Sequence, residues 1–127
     1  MSVIYEKESL LREKSYAFAV RIVKMVKHLS FDRTLTSLYN QVLRSGTSIS
    51  ANVHEAEFAQ STNDFVSKLS IALKEANETK QWIELLKDTD CITHEQYNSM
   101  MVDCKELIAL LVSSIKTLKR NASIVVK

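Results

Sequence analysis

The sequence predicts an all-α protein, an antiparallel up-down-up-down four-helix bundle. Three observations carry that expectation. There is no proline and a single glycine in 127 residues, so little in the chain interrupts a helix. Apolar residues recur at three-four spacing in four separate runs, the period of a helix with one buried face. The breaks between the runs are short and polar, which makes sequential helices antiparallel neighbours. Strand signals are missing: no Asn-Gly or Asp-Gly turn and no sustained period-two alternation occurs.

The first helix is expected from about Glu8 to Leu29, with Leu11, Ser15, Phe18, Ala19, Ile22, Val26 and Leu29 on one face. Ser30, Asp32 and Thr34 then offer capping oxygens. The second is expected from about Leu35 to Phe58, with a stripe of Leu35, Leu38, Tyr39, Val42, Gly46, Ile49, Val53 and Ala56. A neighbouring strip on it holds Ser45, Ser48, Asn52 and Glu55. The third is expected over 62–89, opened by a Ser61–Asp64 capping box, with a stripe from Phe65 through Leu69, Ala72, Ala76, Thr79 and Ile83 to Leu86. The fourth is expected over 94–121, opened by Thr93 and Gln96, with a stripe from Tyr97 through Met100, Cys104, Leu107 and Leu111 to Leu118. The last residues, Asn121 to Lys127, are expected to fray or to dock on a neighbour. All four helices fit one domain spanning residues 1–127.

Composition narrows the functional classes. Hydrophobic content of 46% and charged content of 25% are ordinary for a soluble globular chain. The N-terminus lacks the apolar run of a signal peptide, and no stretch approaches a membrane span, so a cytoplasmic protein with no membrane partner is expected. Cys91 and Cys104, thirteen positions apart, read as free thiols, with Cys104 on an apolar stripe. A net charge of +2 is too small to define a polyanion binder, so any electrostatic argument rests on local clusters.

No catalytic constellation is legible. A di-metal bundle needs Glu-x-x-His pairs, and none of His28, His54 and His94 follows a glutamate by three. With one glycine there is no phosphate loop. No enzyme, metal or cofactor is therefore expected. Two groups of polar residues remain. Arg44, Asn52, Glu55, Glu75 and Glu78 are expected to form a polar network between helices 2 and 3, with Arg44 opposite Glu75 and Asn52 opposite Lys68. An anion site is the sharper reading of the same residues. Arg21, Lys24 and Lys27 line the outer face of helix 1, beside His28, and Lys116, Lys119 and Arg120 close helix 4 with no acid after Glu106. These six cations are the candidate phosphate contacts, in part explained by the helix dipole. Antiparallel packing puts the two clusters at opposite ends of one chain.

The run Ser45-Gly46-Thr47-Ser48-Ile49-Ser50-Ala51 is costly in a helix and suits close helix approach, either inside the bundle or at a subunit interface. It lies within a longer pattern: Leu43-Arg44-Ser45-Gly46-Thr47-Ser48-Ile49, Ala51-Asn52, Glu55-Ala56, Ala59-Gln60-Ser61, Asp64-Phe65, Lys68 to Ala76, Glu78-Thr79 and Trp82. That pattern resembles the four-helix-bundle family first recognised as reading frames within 23S ribosomal RNA intervening sequences, a family that includes accessory proteins of diversity-generating retroelements. The resemblance implies a ring-like homo-pentamer. In the retroelement members it implies a basic surface that binds nucleic acid and a reverse transcriptase. The expected function is thus a non-enzymatic oligomeric module, with RNA or DNA and a reverse transcriptase or other protein as partners. The alternative is a protein–protein scaffold using Phe58, Trp82 and the Ile124-Val125-Val126 tail.

Overall fold

The computed structural model describes the backbone of residues 3–29 and 31–126, and the side chains of 9–29 and 31–121. The described residues form helix α1 (Val3–Leu29), a short 3-10 turn (Arg33–Leu35), α2 (Thr36–Ala56), α3 (Thr62–Asp88) and α4 (His94–Val126). Each helix packs on the next, and α1 also packs on α4, which closes a four-helix bundle. Specific contacts set the directions. Arg44 on α2 meets Glu75 and Glu78 on α3, while Glu55 meets Lys68, so α2 and α3 run antiparallel. Arg21 meets Asp103 and Lys14 meets Glu106, so α1 and α4 do too.

The termini follow local chemistry. Asp32 caps the 3-10 turn, its Oδ1 accepting from Thr34 N at 3.0 Å; Ser30 lies outside the described residues. At the start of α3, Ser61 Oγ accepts from Asp64 N at 3.0 Å, while Asp64 Oδ2 accepts from Gln60 N at 3.2 Å. The Thr93–Gln96 box is reciprocal: Gln96 N donates to Thr93 Oγ1 at 3.1 Å and Thr93 N donates to Gln96 Oε1 at 2.8 Å. Helix α3 ends in a Schellman arrangement, with Cys91 N donating to Leu86 O and Asp90 N to Lys87 O. Asp90 takes the left-handed conformation there, φ 62°, which its short polar side chain tolerates.

Three boundaries differ from the sequence reading. Helix α1 begins at Val3, and α4 runs on to Val126, past the expected end at 121. Nothing in either stretch breaks a helix, since both lack glycine and proline. Helix α2 stops at Ala56, because Glu57, Phe58 and Ala59 donate to carbonyls three residues back and tighten the chain into a turn.

The core is continuous from Leu11, Phe18 and Ile22 on α1 through Val42 and Ile49, Leu69 and Ile83, to Leu107 and Leu111 on α4. Gly46 faces α1: a Cβ there would stand 2.7 Å from Ile22 Cγ1 and 2.8 Å from Cγ2. Ser45 faces α3, where its Oγ accepts from Thr79 Oγ1 at 3.0 Å, and both side chains are buried. Two residues of the small stripe are thus spent on packing within the bundle.

Candidate functional site

The polar side chains between α2 and α3 form a ladder whose centre is Arg44. Its Nη2 donates to Glu78 Oε1 at 2.6 Å, and its Nη1 lies 3.4 Å from both oxygens of Glu75. Glu78 Oε1 also accepts from Trp82 Nε1 at 3.2 Å. One turn deeper, Thr79 Oγ1 donates to Ser45 Oγ and sits 2.7 Å from its own Glu75 carbonyl. The Glu78 hydrogen bond and the two carboxylates raise the Arg44 pKa. Both Nη atoms of the guanidinium are thus engaged by carboxylates, while about half of the side chain stays accessible.

Asn52 does not join this ladder. Its Nδ2 donates to Ser48 O at 2.8 Å, one turn back on its own helix. Lys68, expected opposite Asn52, pairs instead with Glu55 at 3.1 Å. A carboxylate outcompetes a neutral amide for an ammonium group. Trp82, expected among exposed contacts, is half-buried with its indole N–H engaged by Glu78. The Ile124-Val125-Val126 side chains lie outside the described residues.

The basic clusters separate along the bundle. Lys24, Lys27, Lys116, Lys119 and Arg120 are exposed. Arg21 is ion-paired, though part of its side chain stays exposed: its Nη1 donates to Asp103 Oδ2 at 2.5 Å and to Ser99 O at 3.2 Å, and its Nη2 donates to Ser99 Oγ at 2.8 Å. The first cluster therefore loses Arg21 to this pairing and keeps Lys24, with His28 exposed beside it. Sequence spacing placed Arg21 on the outer face because its partner lies 82 positions away. Lys14 and Glu106 repeat the pattern two turns along the same seam, 2.5 Å apart; the Glu106 hydrogen bond raises the Lys14 pKa against a smaller desolvation effect.

Two further surfaces were not singled out from the sequence. Tyr16, Val20 and Val23 stand exposed in a row on the outward face of α1, at 66%, 36% and 44% of their full accessibility. The signal was present, since positions i, i+4 and i+7 share a helix face. Phe31 is also exposed, in the turn at one end of the bundle, as is Phe58, expected from the sequence as a contact, in the turn at the other. The second surface is a groove of about 690 Å³ where the C-terminal turns of α1 meet the start of α4. Met25, Leu29, Ile92 and Met100 contribute its apolar surface, while Lys24 and His28 line it from α1 and Glu95 and Gln96 from α4.

Comparison with known proteins places this geometry. The 23S rRNA-intervening sequence protein family matches residues 7–113. The chain belongs to that family. No curated protein matches it. A solved structure from the S23 ribosomal protein family of Bacteroides thetaiotaomicron, described as of unknown function, is 53% identical with a TM-score of 0.83. The alignment covers 87% of this chain and 98% of that one. Its fold and this one are therefore the same.

Among the described residues no group of three or more His, Cys, Asp and Glu side chains is placed to hold a metal ion. Cys104 is buried, its thiol donating to Ala76 O at 3.5 Å, and burial pushes its pKa up to about 11. A thiol so held is a poor nucleophile at neutral pH. Cys91 is half-buried, with Thr89 Oγ1 3.4 Å from its sulfur. No helix among the described residues is long and apolar enough to cross a membrane.

Proposed function

We propose that this protein is a non-catalytic, self-associating interaction module. The observation that carries the reading is the exposed apolar row of Tyr16, Val20 and Val23 on the outward face of α1. A helix buried on one side gains nothing from apolar residues at the centre of its other side unless something covers them. A neighbouring copy is a fitting cover: in a ring each chain lays this row against a different face of the next, since a self-complementary α1–α1 contact would close a dimer. The homo-pentamer implied by the family resemblance is the favoured assembly.

Light scattering on a sizing column tests this directly. Five chains of 14.5 kDa give about 72 kDa, and Tyr16→Glu with Val20→Glu is expected to return the mass to that of one chain. A native protein that runs as one chain sinks the reading.

A second reading, nucleic-acid binding by the assembled protein, is favoured by Lys116, Lys119 and Arg120. All three are exposed, and no acid follows Glu106 along α4. Repetition of this end around a ring would turn a weak monomer surface into a multivalent one. Binding of RNA or DNA would then be electrostatic and salt-dependent, with a reverse transcriptase as the protein partner that the resemblance implies. Replacing Lys116, Lys119 and Arg120 by Glu is expected to abolish retention of a labelled oligonucleotide while leaving the mass unchanged. Equal retention by that variant overturns the assignment.

A further inference from the structure

We propose that the groove between the end of α1 and the start of α4 is the docking site for an amphipathic helix of a partner protein, one with an acidic and a basic flank. The groove occupies the stretch of α1 from Arg21 to Leu29, about 12 Å at 1.5 Å per residue. That length accepts two turns of a helix. Its volume of about 690 Å³ lies within the range of binding clefts. The apolar lining from Met25, Leu29, Ile92 and Met100 suits apolar anchors at helical spacing, and methionine adapts readily to an incoming side chain.

The charges select the occupant. Lys24 on the α1 wall and Glu95 on the α4 wall both line the groove. Neither makes an ion pair with the other or with any other described residue. Arg21 is already neutralised by Asp103, so it adds no net charge to the α1 wall. The walls thus carry opposite, uncompensated charges across an apolar floor. A helix with an apolar seam, glutamates on the flank beside Lys24 and His28, and lysines on the flank beside Glu95 satisfies every one of these groups. A nucleic acid does not, because its phosphates would meet Glu95 and its backbone has nothing to bury on the floor.

The inference is independent of self-association. Met25 and His28 turn toward α4, whereas Tyr16, Val20 and Val23 point away from the bundle. The floor of the groove and the Tyr16–Val23 row therefore lie on different faces of α1, with Lys24, one turn beyond Val20, at the border between them.

The test is a displayed library of two-heptad amphipathic helices, with leucine fixed along the seam and the flanks varied among Glu, Lys and Gln. Selection on the full-length protein is expected to enrich helices with glutamate on one flank and lysine on the other. Met25 and Met100 are two of only four methionines, so their methyl NMR signals report on the site. Titration of the winning peptide is expected to shift both signals saturably. Lys24→Glu, an exposed substitution that spares the fold, is expected to weaken that peptide by about fivefold or more. Failure to enrich any helix, or winners that leave both methyls unmoved, overturns the proposal. So does a shift of both methyls with protein concentration alone, which makes the groove a contact between copies. None of these outcomes depends on the mass of the Tyr16→Glu, Val20→Glu variant.

Discussion

At Gly46, α1 and α2 approach so closely that even one methyl group has no room. The atoms in the way are Ile22 Cγ1 and Cγ2, at 2.7 and 2.8 Å from an added Cβ, on a side chain that is fully buried and branched next to its backbone. Alanine would gain about 1 kcal/mol of helix propensity over glycine. Overpacking a rigid core costs about 1–3 kcal/mol, so the clash wins. Gly46→Ala is expected to lower unfolding free energy by about 1 kcal/mol in a denaturant titration. Combined with Ile22→Ala, which removes both Cγ atoms and leaves the Cβ at 3.1 Å, its cost should shrink. Cys104 gives a second prediction at this scale. Burial favours its neutral thiol, so its pKa rises from 9.0 to about 11 on folding. The stability this represents, on the order of 2–3 kcal/mol, is fully present below pH 9 and is lost as pH rises through 11. Thermal melts from pH 8 to 11 should show a steeper alkaline decline for the native chain than for Cys104→Ala. The decline that remains in the variant belongs in part to Tyr39, whose pKa is raised by burial and then by Cys91 and Asp32.

Among the elements, the α2–α3 pair shows how one side chain fixes register. Arg44 bridges Glu75 and Glu78, which are three positions apart on one face of α3. Glu75 is the more enclosed carboxylate, with 14% of its side chain accessible. Arg44→Ala leaves that charge facing the bundle without its partner. The variant is expected to melt at a lower temperature, and adding Glu75→Gln should recover part of the loss. Equal melting of Arg44→Ala and the native chain would show the bridge to be idle. Much of this was legible in sequence, because antiparallel helices joined near residue 59 bring positions 44 and 75 level. Asn52 was not. Its amide is satisfied by the Ser48 carbonyl of its own helix, a choice that spacing cannot distinguish from an interhelical bond.

For the whole molecule, the seam between α1 and α4 sets what the surface offers. It is the sparsest of the four seams, and Arg21–Asp103 and Lys14–Glu106 bridge it. Screening weakens exposed pairs of this kind. Arg21→Ala is therefore expected to lower the melting temperature at low salt and to matter less at high salt. A loss independent of salt would assign Arg21 a packing role instead. The period of the apolar residues determined by itself that this chain is four helices, which faces they bury and the order in which they pack. Helical periodicity is a local property, repeated often enough along each run to outweigh any single exception. Only the tertiary structure decided which charges are spent within the molecule and which remain for a partner. Arg21 and Lys24 are three residues apart on one helix, yet the first is neutralised from α4 and the second lines the groove unpaired. The difference lies in residues some eighty positions away, brought opposite by the closure of the bundle, and no local pattern encodes that distance.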